Sequence, residues 1–314
     1  QARAVEATTD EITWLPCGPI ECGKILVPVT KGLNSSKTFS LSLYRRKATS
    51  GSSPRTLLLM PDREYGPDAR TLTEKAPLTF GTGITKFNVI SIAPRGAIDA
   101  VMPVGNETNI GALDMADDVE AVREALNVKK VSIIGWGSGA TTAAALIMQN
   151  PTKVQAALLD TPIDPSTSMV KQASQHIAAT TLGVRTAMRW CASHLACPMN
   201  ANVAKGLDLL KTKIRLQRVD PSITYAAVAR AAIRTIVEGH TQELFIAITA
   251  ANNKDSKPLM ALIGTEPTAV QAYGRCADVS RADAKKIALA HAAVKPYKFT
   301  IGSEAALYAF CAEI

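Results

Sequence analysis

The stretch VSIIGWGSGATTAAALI, residues 131–147, decides the fold. An apolar run with the character of a buried strand enters a glycine turn and continues into an alanine-rich segment of helical composition. Helix N-termini of this kind serve two chemistries. A dinucleotide site uses GxGxxA, which Gly135, Gly137 and Ala140 satisfy, and Asp160 falls at the end of the following strand where a ribose-binding acid is wanted. A hydrolase uses GxSxG on a strained strand-to-helix elbow. The same turn fits that pattern from Gly135 to Gly139, with the nucleophile position falling on Gly137. Ser138 comes one place later, where its side chain is expected to point away from an oxyanion site and to bond to backbone amides as a helix-start residue.

Outward from the turn, Lys24–Val29, Thr38–Arg46, Arg55–Met60 and Phe87–Ala93 read as strands. Thr38–Arg46 alternates apolar and polar residues, the mark of a half-buried antiparallel strand. Arg55–Met60 and Phe87–Ala93 are continuous apolar runs, as in strands covered on both faces. Asp114–Leu126 has apolar residues at helical spacing. Its acids Asp114, Asp117, Asp118 and Glu120 crowd the start, where a solvated cluster complements the helix dipole. Lys130–Ile134, Ala140–Gln149 and Val154–Asp160 then read as strand, helix and strand. This alternation predicts an α/β protein with a doubly wound, mostly parallel sheet. After Pro165 the composition shifts to Ala, Leu and Lys, which predicts several helices over residues 166–295.

Apolar residues make up 47% and charged residues 20% of the 314, an ordinary globular balance. No apolar run approaches the roughly 20 residues of a spanning helix. The net charge of +8 comes without a Lys/Arg run of five, and aromatics are 5%, which speaks against nucleic-acid binding and suits an anionic cell surface. Six cysteines, an even count without CxxC or nearby HxxxH, predict a disulfide framework in an oxidising compartment, with no metal and no cofactor. The sequence opens at Gln1 without a methionine or a charged-then-apolar leader, as expected of an exported chain after removal of its signal, or of a trimmed one.

Several segments carry a family resemblance. Trp14, Cys17, Cys22, Gly23 and Lys24–Val29 resemble the opening of the secreted actinobacterial α/β-hydrolase peptidases, the tripeptidyl-aminopeptidase and proline-iminopeptidase-like group. Phe87–Gly96 (FNVISIAPRG) is similar to that family's strand and turn ending in DPRG. Asn150, Pro151, Val154 and LLDTPIDP (residues 158–165) resemble its segment after the elbow, and Trp190, Cys191, Cys197 and Pro198 its cap turn. Cys276 and Cys311 resemble the pair that closes the cap. The resemblance implies an α/β-hydrolase-like core over residues 12–165 that lacks the last strands, and a helical cap domain over 166–314. The expected disulfides are Cys17–Cys22, Cys191–Cys197 and Cys276–Cys311. Val154–Asp160 is then an apolar sheet edge for the cap, a partner or a C-terminal fragment to cover.

The departures from the family set the expected function. Gly137 stands at the nucleophile position. The family's glycine-rich oxyanion loop is replaced by Pro61, Asp62, Arg63, Glu64, Tyr65 and Gly66, which puts acids where an oxyanion would develop. The family's catalytic Asp and His follow the cysteine matched by Cys311, and the given sequence stops at Ile314. His176, His194, His240 and His291 read as surface or capping residues. The expected protein is thus a catalytically silent hydrolase relative, secreted or held at the cell envelope, as a lipoprotein among other ways. It would bind another envelope protein or a peptide- or lipid-like ligand through its cleft or cap. The alternative is an active serine exopeptidase or esterase with Ser138 as nucleophile and with Asp and His supplied by further sequence.

Overall fold

A computed structural model describes residues 11–30, 37–63, 67–97, 99–103, 109–163, 167–264, 276 and 279–293. The chain divides into two compact units, Gln1–Thr167 with Ala269–Asp278, and Ser168–Thr268 with Val279–Ile314.

The first unit is built on a seven-stranded sheet of order β1-β2-β3-β5-β4-β6-β7. Its strands are β1 (Leu15–Pro16), β2 (Glu21–Pro28), β3 (Thr38–Arg46), β4 (Arg55–Met60), β5 (Phe87–Ile92), β6 (Val131–Trp136) and β7 (Val154–Asp160). β1, β2 and β3 are antiparallel, β3 runs antiparallel to β5, and β5, β4, β6 and β7 are parallel. Alternate residues of the central strands feed two cores. Leu58, Met60, Ile90 and Ile133 pack with Ala116, Val119 and Val122 of α2 (Ala112–Ala125) and with Ala143 and Leu146 of α3 (Ser138–Gln149). Leu57, Leu59 and Val89 point the other way, toward Leu72 and Ala76 of α1 (Ala69–Phe80). The sheet is therefore doubly wound, as the strand–helix alternation predicted. Among the described residues β7 pairs only with β6, and Ala156, Ala157 and Leu158 are exposed.

The sequence reading passes over α1. Asp68 caps it, accepting from the Thr71 N–H at 2.7 Å, and Ala69, Leu72, Thr73 and Ala76 form its buried stripe. The Thr73 hydroxyl donates to Ser91 Oγ on β5 at 2.6 Å, which ties the helix to the sheet.

A second correction concerns Asp118, expected in a solvated acidic cluster. It is buried on α2 and takes a bidentate ion pair from Arg95, Nε to Oδ2 at 2.6 Å and Nη2 to Oδ1 at 2.7 Å. Arg95 is 2% exposed and gives its remaining N–H groups to the carbonyls of Pro28, Val29 and Asn109, with its guanidinium 5.0 Å from the Phe39 ring centre. All five donors are satisfied, which burial of a guanidinium demands. Burial pushes the Asp118 carboxyl up to about 6, against the opposing pull of Arg95. Glu120, by contrast, pairs with Arg123 one turn on, at 2.8 Å.

The second unit is helical among its described residues: α4 (Met169–Ser193), α5 (Val203–Arg215), α6 (Tyr225–Val237), α7 (Thr241–Asn252), α8 (Lys257–Ile263) and α9 (Arg281–Ala293). Val203, Leu210, Val228, Leu244, Phe245 and Leu259 meet in its core. Cys191 and Cys197 are bonded there and buried, joining the end of α4 to the following turn, and Cys17–Cys22 closes the hairpin that opens the first unit. Cys276 is disulfide-bonded, and Cys311, its expected partner, lies outside the described residues. Among the described residues no helix is long and apolar enough to cross a membrane.

Two substitutions test this packing. Arg95→Met leaves Asp118 an uncompensated buried charge and is expected to cost about 3–5 kcal/mol in urea unfolding, whereas Arg95→Met with Asp118→Leu recovers much of that loss. A single-variant cost under about 1 kcal/mol contradicts the account of the pair. In Gly139→Ala the new Cβ would lie 2.1 Å from the Met60 carbonyl oxygen, too close for any side chain. That overpacking is expected to cost about 1–3 kcal/mol by the same measurement, and an unchanged midpoint contradicts it.

Candidate functional site

The loop after β4 and the turn after β6 open at the carboxyl ends of neighbouring strands. The chain leaves β4 toward β5 on one side and returns to β6 on the other, so these ends sit where the strand order reverses, the usual place for a site in an open α/β sheet. Gly137 joins β6 to α3 with φ 50° and ψ −115°, a left-handed conformation that side-chain-bearing residues rarely adopt. Its N–H donates to the Asp160 carbonyl at 3.0 Å. Gly135 and Gly139 permit a close approach. A Cβ on the first would stand 2.7 Å from the Gly139 carbonyl oxygen, and one on the second would run into Met60. The turn is therefore a nucleophile elbow in its backbone.

Where the side chain of residue 137 would begin, the structure has a carboxylate. A Cβ on Gly137 would lie 2.0 Å from Asp62 Oδ2 and 2.6 Å from its Cγ. Ser138, the first residue of α3, donates its hydroxyl to Asp62 Oδ1 at 3.0 Å and accepts from the Arg63 N–H at 2.8 Å. Arg63 holds the loop in place, its guanidinium donating to the Ile110 carbonyl at 2.6 Å and to the Met115 sulfur at 2.9 Å. The Asp62 carboxylate thus lies against the N-terminus of α3, where the helix dipole favours an anion.

Ser138, expected to bond backbone amides as a helix-start residue, accepts from one, the Arg63 N–H. It thereby joins its helix to the loop after β4, because Asp62 and Arg63 bring an acceptor and a donor to it. Of the replaced oxyanion loop, Pro61, Asp62 and Arg63 are described, and Glu64, Tyr65 and Gly66 lie outside the described residues. Asp160 is at an exposed end of β7, and its carbonyl accepts the Gly137 N–H at the elbow. In the helical unit His176 is exposed on α4 beside Thr180, His194 stacks on Trp190 with ring centres 4.9 Å apart, and His240 pairs with Glu243 at 2.9 Å. His291 lies on α9. The contacts of Ser138 with Asp62 and Arg63 join residues some 75 positions apart, and no local signal in the sequence announces them. Among the described residues no group of three or more His, Cys, Asp or Glu side chains is arranged to hold a metal.

Comparison with known proteins places this geometry. The sequence family described as the alpha/beta hydrolase fold matches residues 84–202, which include the elbow. Serine protease Hip1 of Mycobacterium tuberculosis, and likewise that of Mycobacterium bovis, is 22% identical over 271 residues, covering 67% of this chain and 51% of the relative. The chain thus spans about half the length of the curated relatives it matches. Among solved structures, an alpha/beta hydrolase from Novosphingobium aromaticivorans aligns with a TM-score of 0.38 at 17% identity, over 52% of this chain and 50% of that one. A Vigna radiata epoxide hydrolase mutant aligns with a TM-score of 0.36 at 16% identity, over 53% and 45%. Strand order, the backbone of the elbow and the family match agree: the fold is that of the α/β hydrolases.

Proposed function

We propose that this chain is an exported α/β-hydrolase-fold protein that has lost hydrolysis and works by binding, as an accessory protein of the cell envelope. One observation carries the proposal: the Asp62 carboxylate fills the space of a nucleophile side chain at Gly137. Glycine has nothing to attack with. The positive end of α3, which in an acyl-transfer enzyme stabilises the developing oxyanion, already holds an anion of the protein itself. The Cys17–Cys22 and Cys191–Cys197 disulfides fit an oxidising compartment. Another envelope protein, or a peptide- or lipid-like molecule, is the partner this reading implies, with residues 166–314 acting as a cap.

A second reading, a serine peptidase or esterase, rests on the contact between Ser138 and Asp62. A hydroxyl donating to a carboxylate at 3.0 Å has the geometry of a nucleophile and its base. The same oxygen, however, accepts the Arg63 N–H, which ties it to the loop after β4.

A fluorophosphonate probe separates the two. The parent protein is expected to remain unlabelled, and labelling that vanishes in Ser138→Ala establishes the second reading instead. Gly137→Ser is expected to leave aminoacyl- and tripeptidyl-anilides uncleaved, since a catalytic unit missing its partners loses several orders of magnitude in turnover. It is also expected to melt below the parent, the strained backbone alone costing about 1–3 kcal/mol. Robust turnover by that variant overturns the proposal.

A further inference from the structure

The antiparallel register sets Cys22 opposite Tyr44, Lys24 opposite Ser42 and Leu26 opposite Ser40. The intervening Ile25, Val27, Phe39, Leu41 and Leu43 are buried in the core on the α2 side. By alternation the first set faces the α1 side. The apolar cluster beneath α1 draws its strand residues from β4, β5 and β6, and the same face of β2 and β3 carries Lys24, Ser40 and Ser42. A cleft of about 480 Å³ opens there, lined by Lys24, Ser40, Tyr44, Arg70 and Asp99 with Val101 at its rim. That volume is within the ordinary range of small-ligand sites. No lining residue belongs to the elbow or to residues 61–63, so the cleft is a separate feature from the candidate site above.

The polar groups of this cleft fall into those already engaged and those left over. Arg70 is paired with Glu74 at 2.9 Å, and Ser42 Oγ donates to the Asp99 carbonyl at 2.6 Å. The Tyr44 hydroxyl donates to Asp99 Oδ2. Burial and the adjacent carboxylate push the Tyr44 phenol well above its usual range, so it stays a donor. Among the described residues Ser40 Oγ, which is buried, finds no hydrogen-bond partner, an arrangement proteins generally avoid. Lys24 and Asp99 line the same space with opposite charges, yet no ion pair joins them. An ammonium without an ion pair among the described residues, a buried hydroxyl and a carboxylate lining the same cleft complement a molecule that carries both charges.

We propose that this cleft binds a small zwitterion with a free ammonium and a free carboxylate, the chemistry of an α-amino acid or short peptide. Lys24 and Ser40 Oγ take its carboxylate and Asp99 takes its ammonium. Val101, 68% exposed, offers an apolar rim to its side chain.

Isothermal titration calorimetry of the intact chain with leucine, glycylleucine, N-acetylleucine and leucinamide tests the site. Leucine or glycylleucine is expected to bind, the tighter of the two telling amino acid from peptide. N-acetylleucine and leucinamide, each lacking one charge, are expected to bind at least about tenfold more weakly. Lys24→Gln and Asp99→Asn are each expected to weaken binding by about the same factor, and Ser40→Ala by less. Among the described residues Lys24 makes no ion pair, so Lys24→Gln keeps the test sound should Asp99→Asn disturb Tyr44, and thermal melts of the variants identify any that fail to fold. Absence of heat with both leucine and glycylleucine at millimolar concentration overturns the proposal. So does equal binding of the blocked analogues, or affinity unchanged in a folded Lys24→Gln.

Discussion

The elbow depends on a steric constraint: the start of α3 lies so close to the end of β4 that no Cβ fits between them. At Gly139 the Met60 carbonyl oxygen stands 2.1 Å from where a Cβ would be, and at Gly135 the backbone of Gly139 and Ala140 stands within 2.8 Å. This approach brings residues 61–63 over the mouth of the elbow. Once they are there, Ser138 and the Arg63 amide form the cross-link that places Asp62 against Gly137. The open space above a glycine and the positive end of a helix are together what an anionic side chain needs. On the proposed reading, catalytic geometry and a filled site share one backbone, and the residues at positions 62 and 137 distinguish them.

The buried guanidinium of Arg95 does for the antiparallel end of the sheet what the glycines do for the parallel end. It links the end of β2, the turn after β5 and the face of α2 through carbonyls and one carboxylate. A group of this kind specifies an arrangement more than it stabilises one, because desolvation consumes most of the Coulombic gain. The polar cleft on the opposite face of β2 and β3 belongs to the same end. There the side chains alternate between a sealed apolar layer and an open polar one.

Much of the fold was legible because its signals are local. The apolar runs at Arg55–Met60 and Phe87–Ala93 and the alternation at Thr38–Arg46 mark the strands that the structure has at Arg55–Met60, Phe87–Ile92 and Thr38–Arg46. α1 escaped notice although Asp68 is a sound cap and Ala69, Leu72, Thr73 and Ala76 recur at helical spacing. The stripe is short, three of its four residues are small or polar, and Pro77 follows it within the helix. Asp118 was misjudged for a different reason. Its neighbours Asp114 and Asp117 are only partly buried, and nothing within a helical turn reveals that Arg95, 23 residues away, points at it. At the site, the glycine at 137 and the acid at 62 could each be read from the sequence. Their contact could not, since it depends on how β4 and β6 are paired.

The contact between Asp62 and Gly137 is the central claim, and a double-mutant cycle in equilibrium unfolding tests it most directly. Gly137→Ala, Asp62→Ala and the double variant are compared with the parent, so that the backbone strain of an alanine at φ 50° cancels between the two arms. If the carboxylate fills the space of the missing side chain, the double variant is less destabilised than the sum of the single variants by about 1–2 kcal/mol. Strict additivity would mean that Asp62 does not occupy the elbow, and would contradict the account.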